Sequence, residues 1–170
     1  MLKKVCNILT SIILICLVVL AGLMFVPQLF GYKSFAVVSG SMEPNIKVGS
    51  IVYAKNTDFS NFKEGDIISF RLNGNTNATH RIVKINKETQ QFTTKGDANN
   101  SEDANPVNYK DVIGKVALTI PMLGFISVYI KTPLGIAIGC GILFVLIILN
   151  FLPDVLGKDN KKEKWYLKTL

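Results

Sequence analysis

Two uncharged stretches of bilayer length constrain this chain more than any other feature. From Val5 to Val26 there is no Asp, Glu, Lys or Arg. A helix rising about 1.5 Å per residue covers about 33 Å there, enough to cross a hydrocarbon core of about 30 Å. A second uncharged run goes from Thr132 to Pro153, dense in Ile, Leu, Gly and Val, and a helix apolar on every face suits lipid better than the core of a soluble domain. Gly135, Gly139 and Gly141 would weaken a soluble helix but are common in membrane ones. Lys3 and Lys4 precede the first run and Ser34-Phe35-Ala36 has a small-x-small pattern. The run is nevertheless too long for the roughly 7–15-residue apolar segment of a cleaved leader, and it reads as an uncleaved anchor. The expected organisation is therefore an N-terminus and anchor over 1–31, a polar domain over 32–131, a second membrane helix over 132–153 and a basic tail over 154–170.

Charge follows the same division. Of 19 Lys and Arg, seven lie in the tails (Lys3, Lys4, Lys158, Lys161, Lys162, Lys164 and Lys168). The middle carries the other 12 against nine acids, a modest surplus for a solvated surface that argues against nucleic-acid binding despite a net charge of +7. Basic flanks beside both spans place both termini in the cytoplasm and the middle outside it, as two crossings require. Cys6, Cys16 and Cys140 all fall in apolar stretches, so no disulfide framework is expected in the polar domain.

Between the spans the pattern is that of a small, mostly antiparallel β domain, which makes the fold class mostly β with two flanking membrane helices. Phe35–Val38, Ser50–Ala54, Asp66–Leu72, His80–Asn86, Gln91–Thr94 and Val112–Val116 are short and rich in β-branched and aromatic residues. Asn73-Gly74-Asn75 and Lys95-Gly96-Asp97 punctuate them. No helical periodicity is expected here. The stretch from Ala117 to Ile130 is apolar but broken by Pro121 and Gly124, and it fits either a core strand or a surface lying on the bilayer.

Three features of the polar domain carry chemistry. His80 is the sole histidine of the chain, and imidazole, with an ordinary pKa near 6.5, can take a proton at neutral pH; Thr79-His80-Arg81-Ile82-Val83 reads as the start of a strand. Ser39-Gly40-Ser41-Met42-Glu43-Pro44 is a turn in which glycine allows a sharp bend and presents a hydroxyl with backbone N–H groups, the donors an oxyanion needs. Lys95-Gly96-Asp97-Ala98-Asn99-Asn100 with Asp103 supplies carboxylates able to hold an imidazole tautomer. The same loop has too few regularly spaced oxygens for an EF-hand, and there is neither a Cys/His cluster for zinc nor a glycine-rich phosphate loop.

In this order, Val38-Ser39-Gly40-Ser41-Met42-Glu43-Pro44, Gly65-Asp66-Ile67-Ile68, His80-Arg81-Ile82-Val83 and Lys95-Gly96-Asp97-Ala98-Asn99 with Asp103 resemble the type I signal peptidases of the S26 family, in the endoplasmic-reticulum-type, SipW-like branch. The resemblance implies a membrane-bound serine endopeptidase that removes signal peptides from exported preproteins through an acyl-enzyme. Ser41 would be nucleophile and His80 general base, with Asp103 and Asp97 as helpers and Asp103 the favoured partner of His80. It implies Met42 and Ser39 beside the bound substrate, Gly65 and Asp66 as a structural turn, and neither cofactor nor metal. Preproteins, the lipid bilayer and the secretion machinery are the expected partners. Two rival readings stand beside it: a related protease with Lys84 or Lys95 as base, and a non-catalytic two-span protein that binds a partner through its β domain.

Overall fold

The computed structural model describes residues 2–73 and 76–166; Gly74 and Asn75, within the expected Asn73-Gly74-Asn75 turn, lie outside that range. The chain divides into two compact units, one of residues 1–23 with 130–170 and the other of residues 24–129. Helix α1 covers Leu2–Leu29 and α3 covers Pro133–Tyr166. Within them Lys4–Leu29 and Pro133–Phe151 are long and apolar enough to cross a membrane. Over residues 4–20 of α1 the covered positions are Cys6, Thr10, Ile13, Leu17 and Leu20, a stripe at the alternating four–three spacing of a helix seam. Helix α3 continues through much of the basic stretch after residue 153.

The second unit is built on seven strands: β1 Tyr32–Ala36, β2 Ile51–Lys55, β3 Ile67–Asn73, β4 Thr76–Asn86, β5 Gln91–Lys95, β6 Val107–Asn108 and β7 Val112–Ile120. They form one sheet in the order β1-β2-β7-β3-β4-β5-β6, with every pairing antiparallel. Alternation drives this arrangement: in β5, Phe92 and Thr94 turn inward while their neighbours are half-exposed. In β4 the alternation is interrupted. Val83 is the extra residue of a bulge opposite β5, so Ile82 and Ile85, three apart, both meet the core.

Two apolar cores hold the sheet. One gathers Phe62, Ile68, Phe70, Ile82, Phe92 and Val107, with the Phe62 and Phe92 rings edge to face at 5.1 Å. The other gathers Met42, Ile46 and Val52 against Phe35, Val37, Ile67 and Val116. Burying each such side chain is worth about 1.5–3 kcal/mol.

The fold departs from the expectation in four places. Helices make up 40% of the chain, so "mostly β" holds for the polar domain and not for the whole. Strand β6 is two residues long, too short for any periodicity to announce it; the burial of Val107 makes it. Strand β4 begins at Thr76, which puts His80 inside the strand and not at its start. The stretch read as core strand or bilayer surface is both strand and helix: β7 runs to Ile120, and α2 covers Leu123–Tyr129. Met122, at φ 64°, turns the chain between them. Helix α2 docks through Gly124 N–H, which donates to Gly49 O at 2.8 Å. Gly49 is required there, because at φ +82° a Cβ would stand 2.0 Å from the Phe125 ring.

Candidate active site

Ser41 lies on the loop between β1 and β2. Two backbone bonds clamp the base of that loop, Val37 N–H to Ser50 O and Gly49 N–H to Val37 O, both 2.8 Å. At its tip the chain makes a tight turn, with Glu43 N–H donating to Gly40 O at 3.0 Å and Ile46 N–H to Met42 O at 2.8 Å. Met42 (1% exposed) and Ile46 plug the turn into the smaller core. The residue just before Met42 is thereby fixed on a rigid support while its own side chain stays partly open. On the other side, Ser41 O accepts from Ala98 N–H at 2.9 Å. That approach needs Gly96, where a Cβ would lie 2.6 Å from Ser41 O and 2.8 Å from Asn99 Nδ2. The glycine after β5 thus lets the loop of residues 96–103 press against the Ser41 turn.

His80 pairs with Ile68 across β3 and β4, and its ring stands edge to face with Phe70 at 6.1 Å. Its Nδ1 is 2.6 Å from Asp103 Oδ2. The same carboxylate oxygen accepts from Thr94 Oγ1 at 2.6 Å, and Asp103 N–H donates to Thr94 O at 2.8 Å. Thr94 is fully buried, so it fixes the carboxylate before the imidazole meets it. An ionised carboxylate only accepts. Opposite an ionised Asp103 the shared proton sits on Nδ1, an arrangement that turns Nε2 away from the carboxylate.

Adjacent residues of a strand point to opposite faces, and β4 uses this to divide the two aspartates. His80 takes Asp103, whereas Arg81 takes Asp97: Nε to Oδ1 at 2.8 Å and Nη2 to Oδ2 at 2.6 Å. Arg81 Nη1 also donates to Gly65 O at 2.8 Å, and Asn45 Nδ2 donates to Asp97 Oδ2 at 2.7 Å. Asp97 accordingly ties together the Ser41 loop, the His80 strand and the turn at Gly65. Arg81's hydrogen bonds hold the Asp97 carboxyl below the usual carboxylate range, outweighing the opposing effect of burial. A carboxyl with a depressed folded-state pKa contributes stability that is present above the ordinary carboxylate value and is lost as pH falls through the lower folded value. Asp97→Asn should therefore cost about 1–3 kcal/mol at neutral pH. The gap from wild type should close as pH drops below about 4, read by thermal unfolding of the detergent-solubilised protein across pH.

Gly65 and Asp66 form the expected turn. Gly65 N–H donates to Ile82 O, and Ile82 N–H to Asp66 O, both at 2.8 Å; Asp66 also pairs with Lys115 at 2.7 Å.

Ser41 and His80 line one cleft of about 650 Å³. Strands β1 and β4 are separated by three others in the sheet, so the sheet coils strongly to face Phe35–Ser39 toward Thr76–His80 across this space. Met42 and Ser39 also line it; the Ser39 and Ser41 hydroxyl oxygens are 3.4 Å apart, longer than a good hydroxyl bond. Neither Lys84 nor Lys95 lines it. Arg81, Asn45 and Thr94 had no role assigned from sequence. Alternation along β4 would have placed Arg81 opposite His80, but nothing local marks Thr94 or Asn45.

Residues 8–86 match the family model described as signal peptidase, peptidase S26. The chain is 39% identical over 120 residues to signal peptidase I W of Bacillus subtilis, covering 65% of this chain and 63% of that protein. It is 34% identical over 105 residues to the signal peptidase complex catalytic subunit SEC11 of Scheffersomyces stipitis, covering 55% of this chain and 63% of the relative. Against subunit SEC11C of Homo sapiens it is 29% identical over 103 residues, covering 54% of each chain. The chain thus spans less than two thirds of the length of these relatives. The matched residues include the Ser41 turn and the His80 strand, and the two apolar helices agree with a membrane protein: over residues 8–86 the chain is similar to the signal peptidases of family S26.

Proposed function

We propose that this chain is a membrane-bound serine endopeptidase that removes N-terminal signal peptides from exported preproteins, with Ser41 as nucleophile and His80 as general base. The observation that carries the reading is the His80–Asp103 hydrogen bond of 2.6 Å, beside a cleft that Ser41 shares. Ser41 Oγ attacks the scissile carbonyl while His80 Nε2 takes its proton, and Asp103 stabilises the imidazolium. When the C–N bond breaks, His80 returns that proton to the leaving nitrogen, and the acyl group remains on Ser41. Water, deprotonated by the same ring, then releases the acid. Ser39, one hydroxyl away from Ser41, binds the substrate carbonyl side. Met42 with Phe35, Val37 and Val52 gives the cleft an apolar wall suited to a small side chain before the cut. Asp97 acts through Arg81 and is a positioning residue.

In this reading both flanks lie in the cytoplasm, as their basic residues favour, and the β domain lies on the far side, where a signal peptide emerges. Tethering the cleft to the bilayer raises its effective concentration near that bond. Since two relatives are named as catalytic subunits of a signal peptidase complex, the secretion machinery is a candidate partner. Co-expression with a reporter preprotein tests the reading: a new N-terminus immediately after a small residue, read by mass spectrometry, is expected. A reporter that stays at full length would overturn it.

A further inference from the structure

A second cavity, of about 500 Å³, lies on the other flank of His80. It shares three walls with the Ser41 cleft, namely Leu72, Ala78 and His80. It contains neither Ser41 nor any residue of β1 or the β1–β2 loop; its remaining lining comes from β3 and from residues 103–111. Phe70 and Val107 give it an apolar floor, Arg71, Asp103 and Asp111 add charged groups to its walls, and Asn105 stands exposed at its rim.

The chemistry of acyl transfer supplies an occupant. The leaving nitrogen must receive its proton from the imidazole, so the segment after the scissile bond has to pass the His80 ring. The acyl side occupies the opening that holds Ser41. The opening that touches the same ring without Ser41 is free for the other half of the substrate. We propose that this second cavity binds the first residues of the mature protein as an extended peptide segment, and that Asn105 at its rim meets that peptide's backbone. The inference rests on the Ser41–His80 reading above. In the step it serves, the C–N bond breaks and the nitrogen takes the proton that His80 removed from Ser41, leaving a neutral amine that gains its second proton from water. Holding the departing segment in its own cavity keeps that nitrogen beside the ring during transfer.

The test fills the cavity. Full-length protein carrying Asn105→Trp is compared with wild type in membranes by two readouts, processing of a reporter preprotein and the rate at which a fluorophosphonate labels Ser41. The probe has no peptide on its leaving side. Processing is expected to fall by about tenfold or more while labelling keeps its wild-type rate, which also shows the variant to be folded. Unchanged processing would overturn the proposal. So would a parallel fall in both readouts, since that would mean that residue 105 disturbs the catalytic groups themselves. If Ser41→Ala protein still processes the reporter, Ser41 is not the nucleophile and this inference falls with it, which separates the two failures.

Discussion

Membranes bearing Ser41→Ala protein will leave a co-expressed preprotein at full length, with the processing rate down by about 10⁴-fold or more, while the variant itself accumulates and inserts like wild type. The size of the loss follows from the role: without the hydroxyl there is no acyl-enzyme, and what remains is the modest assistance of bound-substrate geometry. The absence of a folding penalty follows from how the turn is held. Its support comes from Met42 and Ile46 in the core and from backbone bonds, including Ser41 O to Ala98 N–H. Among the described residues, the Ser41 hydroxyl has a single polar contact, with Ser39 Oγ at 3.4 Å. An immunoblot of the variant beside the precursor-to-product ratio separates lost chemistry from lost protein. Processing at the normal rate would end the assignment of Ser41 and favour a partner-binding role for the β domain.

What the sequence revealed and what it hid have physical reasons. The two spans were legible because twenty-odd uncharged residues admit few alternatives, and six strands were legible because they are short, rich in β-branched and aromatic residues and punctuated by turn residues. Strand β6 and helix α2 were hidden because two and seven residues are too few to display a period; each exists through tertiary burial, of Val107 in one case and of Leu123 and Gly124 in the other. In the site, Ser41 and His80 were candidates by residue type, but their sharing of a cleft depends on the coiling of a sheet that separates β1 from β4 by three strands. Gly96 read as a turn residue; its closeness to Ser41 O emerges only when the two loops meet. Thr94 looked like any strand threonine, and its bond to Asp103 depends on a backbone contact nine residues along the chain.

The division of the two aspartates yields the second large effect. Asp103→Asn is expected to lower kcat by about 10³–10⁴-fold with little change in KM, although the substitution is isosteric. The carboxylate forces the imidazole proton onto Nδ1. Asp103 Oδ2 meets both the ring and Thr94 Oγ1, and a carboxamide with its NH₂ at that position donates to both, so the ring keeps its lone pair on Nδ1 and its proton on Nε2. The ring would stay in place but could no longer accept the Ser41 proton. Asp97→Asn makes the control, because that side chain meets Arg81 and Asn45 and not the imidazole. Its loss should appear mainly as lower stability, with processing reduced by far less than in the Asp103 variant. Fluorophosphonate labelling of Ser41 should follow the same order, since that reaction needs the same base. If the two variants fall equally, or if Asp103→Asn processes preprotein normally, then His80 does not depend on a tautomer set by Asp103, and the proton path proposed for Ser41 is wrong.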